Sequence, residues 1–323
     1  MNEADREIIS ERILSHIPTS IRPVHYLMEL FNISNESAYR RIRGNMPFSF
    51  NEIIRLSQEL GFSIDELVDQ GNSTVSFRIP QDASHSRSDA YLASLDQYES
   101  YLYAMNRNEV REAMIALNHI LPSFMTDFDN LFNFTYFKWM HQSGELTPNY
   151  SFSEIVVPEN ILEKKKNINR VMQHNRNRTI ILSPYAFFDL IKEVEYYFRR
   201  RLITIAEREL LKADILGLLS QIETIVQGEI NKPGSEINYY LSSLAIESNN
   251  SYVRYDKGEV CYFWVYSLPV ITISNKETCG MQKKWLDSLK KYSTLISRSS
   301  ELVQSEFFRM QRAYVENMDE IVL

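Results

Sequence analysis

Residues 22–68 read RPVHYLMELFNISNESAYRRIRGNMPFSFNEIIRLSQELGFSIDELV, a pattern that predicts four short helices joined by tight turns. Pro23 suits the first turn of a helix, because the N–H that it lacks would be unpaired there. The second helix is predicted over residues 35–43 and ends at Gly44, since glycine tolerates the left-handed conformation common at helix ends. The N-cap serines of the second, third and fourth helices are Ser34, Ser49 and Ser63.

The predicted helix over residues 35–43 has two different faces. Ala38 and Ile42 are four residues apart and therefore share one face, which their apolar side chains predict to point inward. The outward face is left with Asn35, Glu36, Tyr39, Arg40 and Arg43. The arginine cluster Arg40, Arg41 and Arg43 can mark no more than a solvated helix face, so a functional interpretation needs the fold as support.

The string ISNESAYRRIRGNMPFSFNEIIRLSQELGFSIDELV resembles the helix-turn-helix domain of lambda-repressor-like bacterial transcriptional regulators. It shares the Ile-Ser turn, a Gly at the end of the recognition helix, a Pro-containing loop and the closing Ser-Ile-Asp-Glu-Leu. Met28 stands where the family usually has Ala, and Asn32 where the turn usually has Gly. Because Asn tolerates the left-handed conformation, we expect the turn to survive, whereas Met28 predicts a different local packing of the first two helices.

The resemblance, which covers about residues 22–68, implies that helix 35–43 lies in the major groove of duplex DNA. There, Arg can donate two hydrogen bonds to guanine, and Asn can form two with adenine. The candidates for contacts with base edges are Asn35, Glu36, Tyr39 and Arg40, and those for phosphates are Arg22, His25 and Arg43. Glu36 fits such a surface if it accepts a hydrogen bond from a cytosine amino group.

The charge of the N-terminal region opposes DNA binding. Residues 1–75 hold seven Arg, no Lys and eleven Asp or Glu, a net charge of 7 − 11 = −4. A single domain with so few phosphate contacts should bind weakly, so the expected DNA-binding form is a homodimer. The acidity favours an alternative, a helical protein-interaction module whose N-terminal domain no longer reads DNA.

Composition limits the classes that the chain can belong to. It has 323 residues, 44% of them hydrophobic, and a net charge of −7, which argues against a membrane or heparin-like partner. The longest apolar run, residues 260–273, is too short and too polar to span a bilayer, and the N-terminus lacks the organisation of a signal peptide. Two cysteines and scattered histidines predict no metal site. We expect a cytoplasmic protein without a cofactor.

The chain is predicted to be mainly α. An N-terminal helix-turn-helix bundle occupies residues 1–70, a polar linker 71–88 and a long helical domain 89–232. Residues 233–323 are predicted to form an α+β portion that senses a small-molecule or protein effector or oligomerises, with a small antiparallel sheet of three or four strands. Its clearest signal is a hairpin turn with Gly258 where a positive φ is expected. Whether residues 89–323 form one domain or two stays open.

Five apolar residues in the helical region step by four and three: Leu211, Ile215, Leu218, Ile222 and Ile225. This seam has two interpretations, the buried face of a long core helix and a dimer contact. It covers little more than two heptads, less than usually specifies a coiled coil.

One strand face in the α+β portion is aromatic and carries Tyr262, Trp264 and Tyr266. It predicts either an aromatic core or a pocket for a small-molecule effector, and its cover can be a ligand, the helical region or a second subunit. We predict no catalytic residue, because the chain has neither a phosphate-cradling Gly-rich loop nor a nucleophile elbow. An enzyme with its site in residues 235–323 is the third alternative.

Overall fold

The computed structural model describes residues 9–14, 17, 21–60, 64, 86–172, 177–228, 236–256, 258–265 and 268–321. The chain divides into two compact units, residues 1–76 (unit 1) and 77–323 (unit 2). Three sequence predictions lie outside the described residues: the fourth helix that follows Ser63, most of the linker 71–88, and Tyr266.

Unit 1 is helical over its described residues. Residues 9–14 are helical, and three further helices follow: α1 Pro23–Phe31, α2 Asn35–Ile42 and α3 Phe50–Leu60. They share one small core, in which Ile13, Leu27, Ala38 and Leu56 have no exposed surface.

Unit 2 combines long helices with a sheet. Its helices are α4 Arg87–Met105, α5 Asp129–Gln142, α6 Glu159–Met172, α7 Phe188–Arg199, α8 Ile205–Gln227, α9 Lys276–Lys291 and α10 Glu301–Glu316. Its strands are β1 Val110–Leu117, β2 Arg178–Leu182, β3 Ile237–Ser242, β4 Asn250–Tyr255, β5 Gly258–Trp264, β6 Val270–Ile273 and β7 Ser293–Leu295. Short 3-10 turns cover Pro122–Met125, Phe152–Glu154 and Met318–Glu320.

All seven strands form one mixed sheet in the order β6-β5-β4-β1-β2-β3-β7. Strands β1, β2 and β3 are parallel to one another, and the remaining pairs are antiparallel. The prediction of a small antiparallel sheet confined to residues 233–323 is therefore wrong. Strands β1 and β2 lie within the region predicted to be helical, and their buried ends, Met114–Leu117 and Ile180–Leu182, are continuous apolar runs. A strand that is buried on both faces loses the alternation that identifies strands in a sequence.

The two faces of the sheet have different covers. Ile115 and Leu117 point into the larger core, to which helices α4–α8 and α10 contribute side chains. Met114 and Ala116 point to the opposite face, where helix α9 supplies Cys279, Leu286 and Leu289. The sheet thus joins the predicted helical region and the predicted α+β portion within unit 2.

The heptad seam lies on α8, and it is core. Leu211, Ile215, Leu218 and Ile222 are at most 1% exposed, and Ile225 packs against the same cluster. Polar contacts hold α8 in this place: Asp214 accepts hydrogen bonds from the first amides of α5, and Glu223 pairs with Arg312 on α10. Because its own chain fills the seam, the interpretation as a dimer contact is wrong.

Candidate nucleic-acid interface

The turn between α1 and α2 has the geometry that the sequence predicts. Asn32 ends α1 in the left-handed conformation, with φ 54° and ψ 49°. The Ser34 hydroxyl then accepts a hydrogen bond of 3.3 Å from the Ser37 N–H and so caps α2. Gly44, also left-handed with φ 71°, follows α2 as predicted. These local choices set the direction in which α2 leaves the turn.

The inner side of α2 is held by Ala38 and, unexpectedly, by Arg41. Arg41 Nη2 lies 2.8 Å from Glu52 Oε1 on α3, and its Nη1 donates to the Ser37 carbonyl at 3.2 Å. The Arg41 and Glu52 side chains are only 12% and 15% exposed. Arg41 therefore fixes α2 against α3 and is withdrawn from the arginine cluster of the outward face.

The sequence contains a signal for the role of Glu52 at the start of α3. Ser49 and Glu52 have the spacing of a capping box, and the Ser49 N–H does donate to Glu52 Oε2 at 2.7 Å. Burial raises the pKa of Glu52, but the hydrogen bond from Ser49 and the Arg41 guanidinium outweigh burial and hold this pKa below its usual value. Glu52 is therefore a carboxylate at neutral pH and serves α3 and Arg41 at once.

Replacing Glu52 by Gln should lower the free energy of unfolding of unit 1 by about 1 kcal/mol at neutral pH, the scale of a charge-assisted hydrogen bond in contact with solvent. A lowered folded-state pKa contributes stability above the unfolded value, near pH 4.3 for Glu, and this contribution is lost as the pH falls through the folded value. Hydrogen exchange of residues 21–60 in the full chain should show the difference at neutral pH and little at about pH 3.

The matched control is Glu59→Gln, because Glu59 lies exposed on the same helix. Equal exchange protection in the wild type and in Glu52→Gln at neutral pH would show that the Arg41–Glu52 pair does not stabilise unit 1.

The outward side of α2 brings five predicted residues together. Asn35, Glu36, Tyr39, Arg40 and Arg43 are all exposed. The Arg43 guanidinium lies 5.9 Å from the centre of the Tyr39 ring, so a cation–π contact links two of them. Glu36 lies in the first turn, where a negative charge stabilises the helix. The face therefore presents amide, phenol and guanidinium groups to solvent on an anchored helix.

The two remaining candidates lie at the start of α1. Arg22 is the N-cap position and His25 lies in the first turn, and both side chains are exposed. This turn contains no acidic residue, so the positive end of the helix dipole is not neutralised there. Since α1 packs directly on α2, the structure presents these two side chains on the same small bundle as the outward face.

The aromatic strand face of unit 2 is covered by its own helical region. The Tyr101 ring on α4 lies 4.8 Å from the Tyr262 ring and 5.0 Å from the Trp264 ring, centre to centre, and Tyr98 lies 6.3 Å from Trp264. Tyr262 and Trp264 are 7% and 6% exposed. Burial raises the pKa of Tyr101 to about 12, so its phenol is neutral. The sequence left a ligand, the helical region and a second subunit open as the cover of this face. In the structure the cover is helix α4 of the helical region.

No family model, curated protein or solved structure matches this chain. Across the described ranges, no group of three or more His, Cys, Asp and Glu side chains could hold a metal ion. No helix in the described part of the chain has both the length and the apolar character to cross a membrane. A functional proposal therefore depends on the residues and geometry of each unit.

Proposed function

We propose that this protein is a cytoplasmic, DNA-binding transcriptional regulator that reads duplex DNA in the major groove with α2. The observation that carries the proposal is the division of this helix into two sides. Ala38 and Arg41 anchor the inner side, while Asn35, Tyr39 and Arg40 are exposed on the outer side. A helix that must discriminate bases needs this combination of fixed position and exposed donors.

Each exposed residue has a proposed role. Arg40 donates two hydrogen bonds to guanine O6 and N7, and Asn35 pairs with the N6 and N7 atoms of adenine. Glu36 and Tyr39 are the further candidates for base edges. Arg22, His25 and Arg43 contact phosphates, which sets the orientation of unit 1 but carries no sequence information.

Selection of bound sequences from random duplex DNA by the full chain tests the proposal. The expected result is enrichment of one short motif that corresponds to a helix-turn-helix half-site. The selected DNA contains this motif either once or as two half-sites. Recovery of unenriched DNA would reject sequence-specific reading.

We also propose that the DNA-binding form is a homodimer. Residues 1–75 have a net charge of −4, so the few cations of one copy cannot supply tight binding alone. Two copies should read half-sites about 34 Å apart. Light scattering of the complex with the selected DNA should then give the mass of the DNA plus twice 38.0 kDa. With two arginine–phosphate contacts per copy, from Arg22 and Arg43, the slope of log K against log salt should be about −4. A 38.0 kDa monomer on the DNA would contradict the dimer.

The acidity of unit 1 favours a second candidate function, a protein-interaction module whose N-terminal unit does not read DNA. The same selection separates the two, because this module would enrich no DNA sequence. Under either function, unit 2 supplies assembly or regulatory input.

A further inference from the structure

Helix α9 is firmly docked on the sheet by its inner side. Cys279, Leu286 and Leu289 are buried in the core of the second sheet face. Lys283 Nζ lies 3.2 Å from Glu112 Oε1 on β1, and Gln282 Nε2 donates to Asn250 Oδ1 on β4 at 2.7 Å. A helix held by apolar and polar contacts at once is a rigid platform for whatever its outer side presents.

The outer side of α9 carries large apolar side chains that are more than half exposed. Met281 is 56% exposed, Trp285 is 61% exposed, and Tyr292, just beyond the helix, is 53% exposed. Their spacing of four and seven residues places Met281 and Trp285 on one helix face, with Tyr292 following about two turns later. Trp, Tyr and Met are among the residues that protein–protein interfaces enrich.

A depression lies beside Met281. It has a volume of about 630 Å³ and is lined by Asn275, Lys276, Glu277, Gly280, Met281 and Lys284. Gly280 faces open space, because a Cβ atom at this position would meet no neighbouring atom within 4 Å among the described residues. Glycine within a helix lowers stability relative to alanine, so keeping this position open has a structural cost. Met281 is the one large apolar side chain in this lining, so a partner side chain that enters the depression packs against Met281 with charged groups around it.

The charge of this surface is opposite to that of the chain. Helix α9 holds five lysines against Glu277 and Asp287, a net of 5 − 2 = +3, whereas the whole chain has a net charge of −7. Lys283 already pairs with Glu112 and Asp287, and Lys290 lies over the Tyr240 ring. The remaining lysines are exposed around the apolar stripe: Lys276, Lys284 and Lys291, the last with its Nζ 5.7 Å from the centre of the Tyr292 ring.

We propose that the outer side of α9 binds an acidic, amphipathic segment of a partner protein. An apolar side chain of that segment enters the depression beside Met281 and packs against Trp285, and its carboxylates face Lys276, Lys284 and Lys291. A second copy fits less well, because a two-fold axis would oppose two positive stripes. Nucleic acid fits less well too, since Met281 and the exposed Asp287 offer nothing to phosphates.

Selection of a displayed random peptide library on the full-length protein tests this surface. The selected peptides are expected to combine Asp or Glu with large apolar residues. The best of them, made synthetically with a fluorescent label, is then titrated against the wild type, Trp285→Ala and Lys284→Glu. Trp285→Ala should weaken binding by about tenfold or more, as expected for a central aromatic residue. Lys284→Glu should weaken it most at low salt.

The matched controls are Tyr103→Ala and Lys166→Glu, at exposed positions on α4 and α6, and neither should change the affinity. Thermal melts of each variant verify the fold. Three binding results would overturn the proposal. The first is a set of selected peptides without acidic enrichment, and the second is equal binding by Trp285→Ala and the wild type. The third is displacement of the peptide by oligo(dT) that depends on Trp285, which marks a nucleic-acid surface. A molecular mass that halves in Trp285→Ala would likewise overturn it in favour of self-association.

Discussion

Replacing Arg40 by Ala should weaken binding to the selected DNA sequence by about 1 to 3 kcal/mol per half-site, the value of one bidentate contact with guanine. The difference from the wild-type protein should be largest on DNA that contains the selected guanine. It should vanish when that base pair is changed, because the wild type then loses the same contact. The side chain is exposed on α2, so its truncation should leave the fold of unit 1 intact.

Fluorescence anisotropy with labelled duplexes measures this effect. Arg43→Ala provides a comparison, because loss of one phosphate contact in each copy should weaken all sequences alike and reduce the salt slope by about 2. If Arg40→Ala and the wild type bind the selected sequence equally, α2 is not the element that reads DNA.

Replacing Trp264 by Ala should lower the free energy of unfolding of unit 2 by about 3 to 5 kcal/mol. The indole is 6% exposed and contacts Tyr98 and Tyr101 edge to face, so the variant loses both buried area and aromatic contacts. The same substitution tests the effector pocket that the sequence predicted on this strand face. A side chain that only lines an open pocket can be removed at much lower cost.

Trp285→Ala is the matched control, since that indole is 61% exposed and its loss should change the free energy of unfolding by less than about 0.5 kcal/mol. Trp264→Phe should be milder than Trp264→Ala, because it keeps most of the apolar area and removes an indole N–H that has no acceptor among the described residues. Urea unfolding of the three variants gives the comparison. Equal stability of Trp264→Ala and Trp285→Ala would show that the strand face is not core.

The sequence by itself determined the features of unit 1 that depend on near neighbours. The left-handed Asn32, the Ser34 cap and the left-handed Gly44 are each specified by one residue and the few beside it. The hairpin at Gly258, with φ 112°, follows the same rule in unit 2. The outward face of α2 also follows from helical spacing, because Ala38 and Ile42 mark the opposite side. Short-range geometry needs no knowledge of the rest of the chain.

The tertiary structure decided which side chains meet across long separations. Strand β1 pairs with β4 across about 140 residues, and no periodicity in β1 or β2 indicates a central position in the sheet. Arg41 looked like part of a charged face until α3 brought Glu52 to it. The aromatic face of β5 and the seam of α8 were ambiguous for the same reason. Apolar periodicity tells which side chains avoid water, but only packing decides whether a helix of the same chain, a ligand or a second chain covers them.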